Sequence, residues 1–429
     1  MREMKNSGVE WLESIPETWN LLQLGSLFSE HKHKNIGMQS SNLLSLSYGK
    51  IIRKDINTTD GLLPESFEGY NVIGAGDIVL RLTDLQNDQR SLRVGLCGEN
   101  GIITSAYTTL RRRNDAISSK YFYYLLHSYD VRKGFYGMGA GVRQGLNYAG
   151  VRKIMLAVPS EREQTAIAEC LDQKIAQVDA LIANVQAQIE KLKAYKQSLI
   201  TEVVTKGLDP NAPMKDSGVE WLGAVADTRR IFRLKYLLNF PMQYGANESG
   251  DKYTDGSVRY IRITDITADG KLKDDENNQY ISDTIASEYT LKDGDVLFAR
   301  SGGTVGKSFL FRKEYGQCAF AGYLIKAECN QKVLLPEYLI YYTQSSLYNL
   351  WKNMIFIQAT IQNIGANKYS NMEIPIPTIA EQESIVEHLK TKCSQIDQLI
   401  FLKESKIEKL QQYKRSLIYE YVTGKKEVV

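Results

Sequence analysis

Apolar residues recur at helical spacing along two long segments of the chain. In the first they fall at Ile167, Leu171, Val178, Ile182, Val185, Ile189, Leu192, Leu199 and Val203. From Val178 the steps alternate between four and three, the spacing of a coiled-coil seam. The second segment repeats the pattern at Ile385, Leu389, Ile396, Ile400, Ile407, Leu410, Leu417 and Tyr421. Residues 160–206 and 378–423 contain neither glycine nor proline. Each stretch follows a proline (Pro159, Pro377) and stops at a glycine (Gly207, Gly424). This punctuation predicts one helix over each stretch. A helix of about 44 residues reaches roughly 66 Å at 1.5 Å per residue. No compact domain needs that length internally, so the two helices are predicted to pack on each other, antiparallel, as a spacer.

The intervening pattern is different. Short β-branched and aromatic runs such as Arg259–Ile263, Asp295–Phe298 and Lys307–Phe311 are separated by Gly, Asp and Asn, which predicts strands and turns. Tyr121–His127 and Tyr338–Thr343 read as short helices. Each interior is therefore an α+β domain of about 150 residues, an ordinary size.

The chain is one unit written twice. Residues 4–12, MKNSGVEWL, return as 214–222, MKDSGVEWL. Residues 190–200, EKLKAYKQSLI, return as 408–418, EKLQQYKRSLI. Upstream, Gln164, Ile167, Leu171, Lys174, Asp179, Leu181 and Ile182 match Gln382, Ile385, Leu389, Lys392, Asp397, Leu399 and Ile400. The offset is 210 at the first match and 218 at the second, so the second copy carries a net insertion of eight residues between the shared ends. There the copies diverge: little survives beyond Gly76-Asp77-Ile78-Val79 against Gly294-Asp295-Val296-Leu297, and a rough match of 121–124 with 338–341. Two copies are too few for a solenoid. A near-identical framework around divergent interiors points to two domains doing the same job on different targets.

Composition narrows the class. The 429 residues are 43% hydrophobic and 24% charged, typical of globular chains, with no apolar run of membrane-spanning length. The N-terminus lacks the pattern of a secretory signal. Five scattered cysteines with no CxxC pair argue for a reducing compartment, so the expected location is the cytoplasm. A net charge of +3 leaves nucleic-acid binding open. Catalytic chemistry finds no support. Gly302–Ser308 resembles a phosphate loop, but the pattern needs glycine where Ser301 stands, so a turn between strands is the better reading. No adenine-methyltransferase motif occurs, and His31, His33, His127 and His388 form no metal or triad pattern. Glu404-Ser405-Lys406 has nuclease-like spacing but sits mid-helix among charges, as a solvated face does. The Arg111-Arg112-Arg113 run likewise reads as a solvated strand end.

The repeated MKxSGVEWL frame, the run GDVLFARSGGTVGK at 294–307, and Ile374-Pro375-Ile376-Pro377 followed by Glu381-Gln382 and a long helix resemble Type I restriction-modification specificity subunits. The resemblance covers both halves. The first half is looser: Leu156-Ala157-Val158-Pro159 precedes Glu163-Gln164, and the Gly-Asp strand runs into Arg81-Leu82-Thr83 instead of a glycine loop. The resemblance implies an α+β fold with two target recognition domains in pseudo-twofold arrangement, separated by two long antiparallel coiled-coil helices. The expected boundaries are 1–158 and 208–376 for the domains, and 159–207 and 377–429 for the helices. It further implies that each domain reads one half of an asymmetric bipartite duplex. The helices fix the gap and dock two modification subunits. The chain itself would be no enzyme and hold no cofactor. S-adenosylmethionine and the flipped adenine would belong to the modification subunits, and ATP with magnesium to the restriction subunits. Partners that share the phosphate contacts would also reconcile DNA binding with weak basicity.

Base edges are read by Arg, Lys, Asn, Gln, Ser or Thr on exposed turns. Candidates in the second domain are Arg300, Ser301, Thr304 and Lys307 on a glycine-rich turn, with Gln358, Thr360, Gln362 and Asn363 before the last strand. The first domain offers Arg81, Thr83 and Gln86 at the position of that turn, and Arg143 and Gln144 at the later loop; Lys32 and Lys34 are candidates for phosphate. One alternative is a coiled-coil adaptor whose two globular domains bind proteins, which should expose apolar patches where these turns are polar. Another is a specificity subunit serving a different restriction type.

Overall fold

A computed structural model of the chain describes residues 2–57, 64, 66–85, 88, 90–138, 145–267, 270–357 and 362–428. It divides into two compact units, Met1–Gln186 with Ser405–Val429, and Ala187–Glu404. The class is α+β, and the two long helices run Glu161–Lys206 and Ile379–Val422, where the apolar periodicity predicts them. Every seam position named above is buried or half-buried.

Each long helix contributes to both units. In Ala187–Glu404, Lys196 donates to Asp397 and Lys403 to Gln188, so partner numbers fall as the first helix advances. In the other unit, Lys414 donates to Asp179, while Ile167 and Leu171 share a buried cluster with Leu417, Ile418, Tyr421 and Val422. The helices are thus antiparallel within each unit. Each such side chain that is fully buried contributes about 1.5–3 kcal/mol.

The globular part of each unit is built on a four-stranded antiparallel sheet of the same order. In the first unit the order is Phe28–Glu30, Thr108–Arg112, Ile78–Leu80, Val94–Leu96. In the second it is Gln243–Tyr244, Leu324–Ala327, Val296–Ala299, Ser308–Leu310. The predicted short helices are Ser119–Val131 and Pro336–Gln344. The strand predicted over Arg259–Ile263 instead runs Ser257–Ile261, because Arg262 and Asp265 close a tight turn on it through the Arg262 amide and guanidinium.

The repeated sequence marks repeated bonds. Asn6 and Asp216, the one difference in the opening nonapeptide, each accept from the amide two residues on, Gly8 and Gly218. Either side chain supplies that oxygen. Tyr121 donates its hydroxyl to Ala157 O and Val422 O, and Tyr338 to Pro375 O and Val204 O. Gln164 accepts from Ser118 N and donates to Pro159 O, while Gln382 accepts from Leu335 N and donates to Pro377 O and Val333 O. Each globular part is therefore closed by the start of one long helix and the end of the other. One position exchanges chemistry. Trp19 donates its indole N–H to Glu163, whereas Arg229, fully buried, pairs with Glu381 at 2.7 Å.

Candidate nucleic-acid interface

In each sheet the same hairpin connection carries the first group of candidates: residues 81–93 between Ile78–Leu80 and Val94–Leu96, and residues 300–307 between Val296–Ala299 and Ser308–Leu310. The second-unit connection is short. A three-residue 3-10 turn, Gly302–Thr304, leads through residues 305–307 into a strand, not into the helix that a phosphate loop opens. Gly302 and Gly306 sit at φ of +78° and +84°, conformations costly for any residue with a Cβ. The turn is tied down from below, Tyr369 donating to Ala299 O at 2.8 Å and Tyr348 to Gly306 O at 2.7 Å.

Arg300 leaves the strand half-buried. Its amide donates to Tyr323 O, and its carbonyl accepts from Ile364 N at 2.9 Å. Ser301 bridges Asn363 in antiparallel fashion, and Gln362 beside it is exposed. The two candidate segments of this domain therefore converge: Arg300 and Ser301 from the glycine turn, Gln362 and Asn363 from the later loop. Thr304 is half-buried, with its carbonyl accepting from Lys307 N. Lys307 is exposed and lines a cleft of about 670 Å³ with Lys196, Lys352 and Asp397. Burial lowers the pKa of Lys352. Gln358 and Thr360 lie outside the described residues.

The longer connection of the first unit needs internal support, and Arg93 supplies it. This fully buried guanidinium donates to the carbonyls of Thr83 at 2.7 Å, Arg81 and Asp84 at 3.2 Å, and Asp88, and to Tyr136 Oη at 3.0 Å. Its amide donates to Asp130 Oδ2 at 2.5 Å. Around this hub Arg81 pairs with Asp88 at 3.5 Å, and Thr83 is exposed. Hydrogen bonds from Ser91 hold the Asp88 pKa down to about 2. Gln86, Arg143 and Gln144 lie outside the described residues. Lys32 and Lys34 are exposed but locally engaged, Lys32 with Glu30 at 2.9 Å and Lys34 with Gly69 O at 2.8 Å. Lys34 also bridges Asn71, so it belongs to a different strand edge from Arg81.

A family model described as "Type I restriction modification DNA specificity domain" matches residues 230–412. The MjaVIII specificity subunit of a Type I restriction enzyme from Methanocaldococcus jannaschii is 23% identical over 431 residues, covering 96% of this chain and 93% of that one. The EcoKI specificity subunit from Escherichia coli K12 is 24% identical over 66% of this chain and 61% of its own. A chain from a solved structure of a type I R-M system, described for its complex assembly and conformational transition, superposes with a TM-score of 0.71 at 15% identity, covering 95% of this chain and 98% of that one. Over nearly its whole length the chain is thus similar to a specificity subunit of a Type I restriction enzyme, and residues 230–412 match the model of that DNA specificity domain.

Several features of this chain were not visible in its sequence. Arg93 lies between Leu92 and Val94 and Arg229 directly before Arg230, and for both a surface position is the ordinary expectation. Tyr244 and Tyr323, 41% and 62% exposed beside Arg300, carry no motif. Their partners are distant in the chain, and only the repeat-wide divergence of this region hinted at them. The long helices also carry an exposed apolar set at matched positions: Leu181 and Leu399, Tyr195 and Tyr413, with Phe401 and Leu402 nearby in sequence. Among the described residues no His, Cys, Asp or Glu cluster could hold a metal, and no helix is long and apolar enough to cross a membrane.

Proposed function

We propose that each globular domain reads one half of an asymmetric, bipartite duplex DNA target, and that the paired helices fix the gap between the halves. The observation that carries this reading is the split between what the two copies share and what they do not. The bonds of Tyr121 and Tyr338, Gln164 and Gln382, and Asn6 and Asp216 are duplicated, whereas the matching hairpin connections are built differently. A shared scaffold with unlike contact loops is what two different base sequences require, since base contacts specify and the rest positions.

The matched exposed apolar residues of the helices suit docking of two copies of one modification subunit. Those partners would supply S-adenosylmethionine and adenine chemistry, and restriction subunits would supply ATP and magnesium. The chain itself contributes recognition and spacing, not catalysis, in the cytoplasm that its scattered cysteines suit.

The test is co-expression with the modification partner in a methylation-free host, followed by mapping of N6-methyladenine. A two-part motif with unlike halves and a fixed gap is expected. A palindromic motif, or no motif, overturns the reading.

A further inference from the structure

We propose that Tyr244 is a positioning residue for specificity in the second domain, holding the Arg300 guanidinium and the segment after Gln362 in one geometry. The proposal rests on the reading that this edge meets a half-site. Tyr244 ends the edge strand Gln243–Tyr244, which pairs with Leu324–Ala327. The next residue fixes where the tyrosine stands. A Cβ on Gly245 would lie 2.3 Å from Phe320 O and 2.4 Å from Ala321 O, so only glycine permits this backbone approach. Gly245 N bonds to Leu324 O and Ala246 N to Phe320 O, clamping the main chain on both sides of that contact.

From this fixed base the side chain does two things. Arg300 Cζ stands 5.1 Å from its ring centroid, and its hydroxyl accepts from Ala366 N at 2.9 Å. Ala366 opens the helix Ala366–Ser370, just past Ile364, whose amide bonds to Arg300 O. One tyrosine therefore joins the arginine to the loop that its own carbonyl also holds. A cation–π contact holds a guanidinium without using its N–H donors in hydrogen bonds, so they stay available for bidentate bonds. Such a pair with guanine O6 and N7 is the commonest specific major-groove contact, and it depends on the arginine being held in a single orientation. Tyr244 fits that task.

The test uses the full chain assembled with its modification partners and duplexes carrying the mapped target or its single-base variants. The measurement is methylation kcat/KM for each duplex. Arg300→Ala is expected to abolish discrimination at one position of one half-site. Tyr244→Leu should weaken discrimination at that same position about tenfold and leave the other half-site unchanged. Tyr244→Phe, which keeps the ring, should retain most of it. Tyr244→Leu combined with Arg300→Ala should be no worse there than Arg300→Ala alone. If Arg300→Ala acts at one position and Tyr244→Leu does not, the positioning role is overturned while the reading edge stands. If Arg300→Ala changes no position, the reading of this edge fails and takes the proposal with it. A uniform loss over both half-sites for Tyr244→Leu also counts against it, because a merely structural residue behaves that way.

Discussion

Lys414 Nζ stands 2.7 and 2.8 Å from the two carboxylate oxygens of Asp179. The same bond recurs at an offset of 218 with the helices exchanged, Lys196 Nζ lying 2.7 Å from both oxygens of Asp397. Each long helix thus gives one lysine and receives one, once in each unit. Both pairs are partly exposed, so each contributes only about 0.2–1 kcal/mol. Lys414→Glu should lower stability by about 1 kcal/mol in low salt, and adding Asp179→Lys should restore most of it. Urea midpoints compared at low salt and at 1 M salt check this, because screening should shrink both differences.

Removing the Arg93 guanidinium leaves several carbonyls facing a buried, unpaired space. Arg93→Met should cost about 3 kcal/mol or more. It should also expose residues 81–90 to limited proteolysis before the domain unfolds. Denaturant midpoints and the first cleavage site are the readouts; cleavage elsewhere first argues against the hub.

His127 and Asp130 should pull stability in opposite directions with pH. Burial, with Lys414 adding repulsion, lowers the His127 pKa from 6.5 to about 4. Between those values the unfolded chain binds the proton that the folded chain refuses, so this group's stability is present above pH 6.5 and is lost as pH falls toward 4. Burial raises the Asp130 pKa from 3.8 to about 6. There the folded chain keeps the proton, so stability is present below 3.8 and is lost as pH rises through 6. The two slopes oppose each other between about pH 4 and 6. His127→Gln should leave a protein that loses stability as pH rises through this window, and Asp130→Asn one that gains it. Thermal melts at half-unit pH steps separate the two; parallel profiles would refute both assignments.

Gln382 makes three bonds from a fully buried amide, and Gln164 makes two. Truncation to alanine strands three main-chain partners at Gln382 and two at Gln164. Gln382→Ala should therefore cost about 2–4 kcal/mol, and Gln164→Ala less. The order of their guanidinium midpoints is the check.

The gap between half-sites should follow helix length. Inserting four helical residues after Ala187 lengthens the first helix by about 6 Å. Methylation mapping should then show a changed gap between two unchanged half-sites; altered half-sites would refute the ruler.

What the sequence made legible was what is local or periodic. The seam from Val178 to Val203 repeats within a helical turn, and the caps lie beside it in the chain. The opening repeat was legible because its bonds, such as Gly8 N to Asn6, close over two residues. The candidate edge was legible only as a set of residue types on turns. That Arg300 meets Tyr244, or that Arg93 gathers the carbonyls of Arg81, Thr83, Asp84 and Asp88, depends on contacts made across the sheet and inside a long connection. An isolated arginine or tyrosine carries no periodic signal of such a role. Arg229 was hidden for a sharper reason: its counterpart is Trp19, so the repeat itself disguised a shared Glu partner.

The hydroxyl of Tyr121 reaching Val422 O sets an order of events at the ribosome. The unit Ala187–Glu404 is continuous, and all of it is made before residues 405–429 of the other unit. The first unit is not: its core lacks Leu417, Ile418, Tyr421 and Val422 until the second long helix is completed. Domains usually fold in the order they are made. Here the half made first is the last able to finish, and its unfinished apolar face must wait, exposed, for residues 417–422.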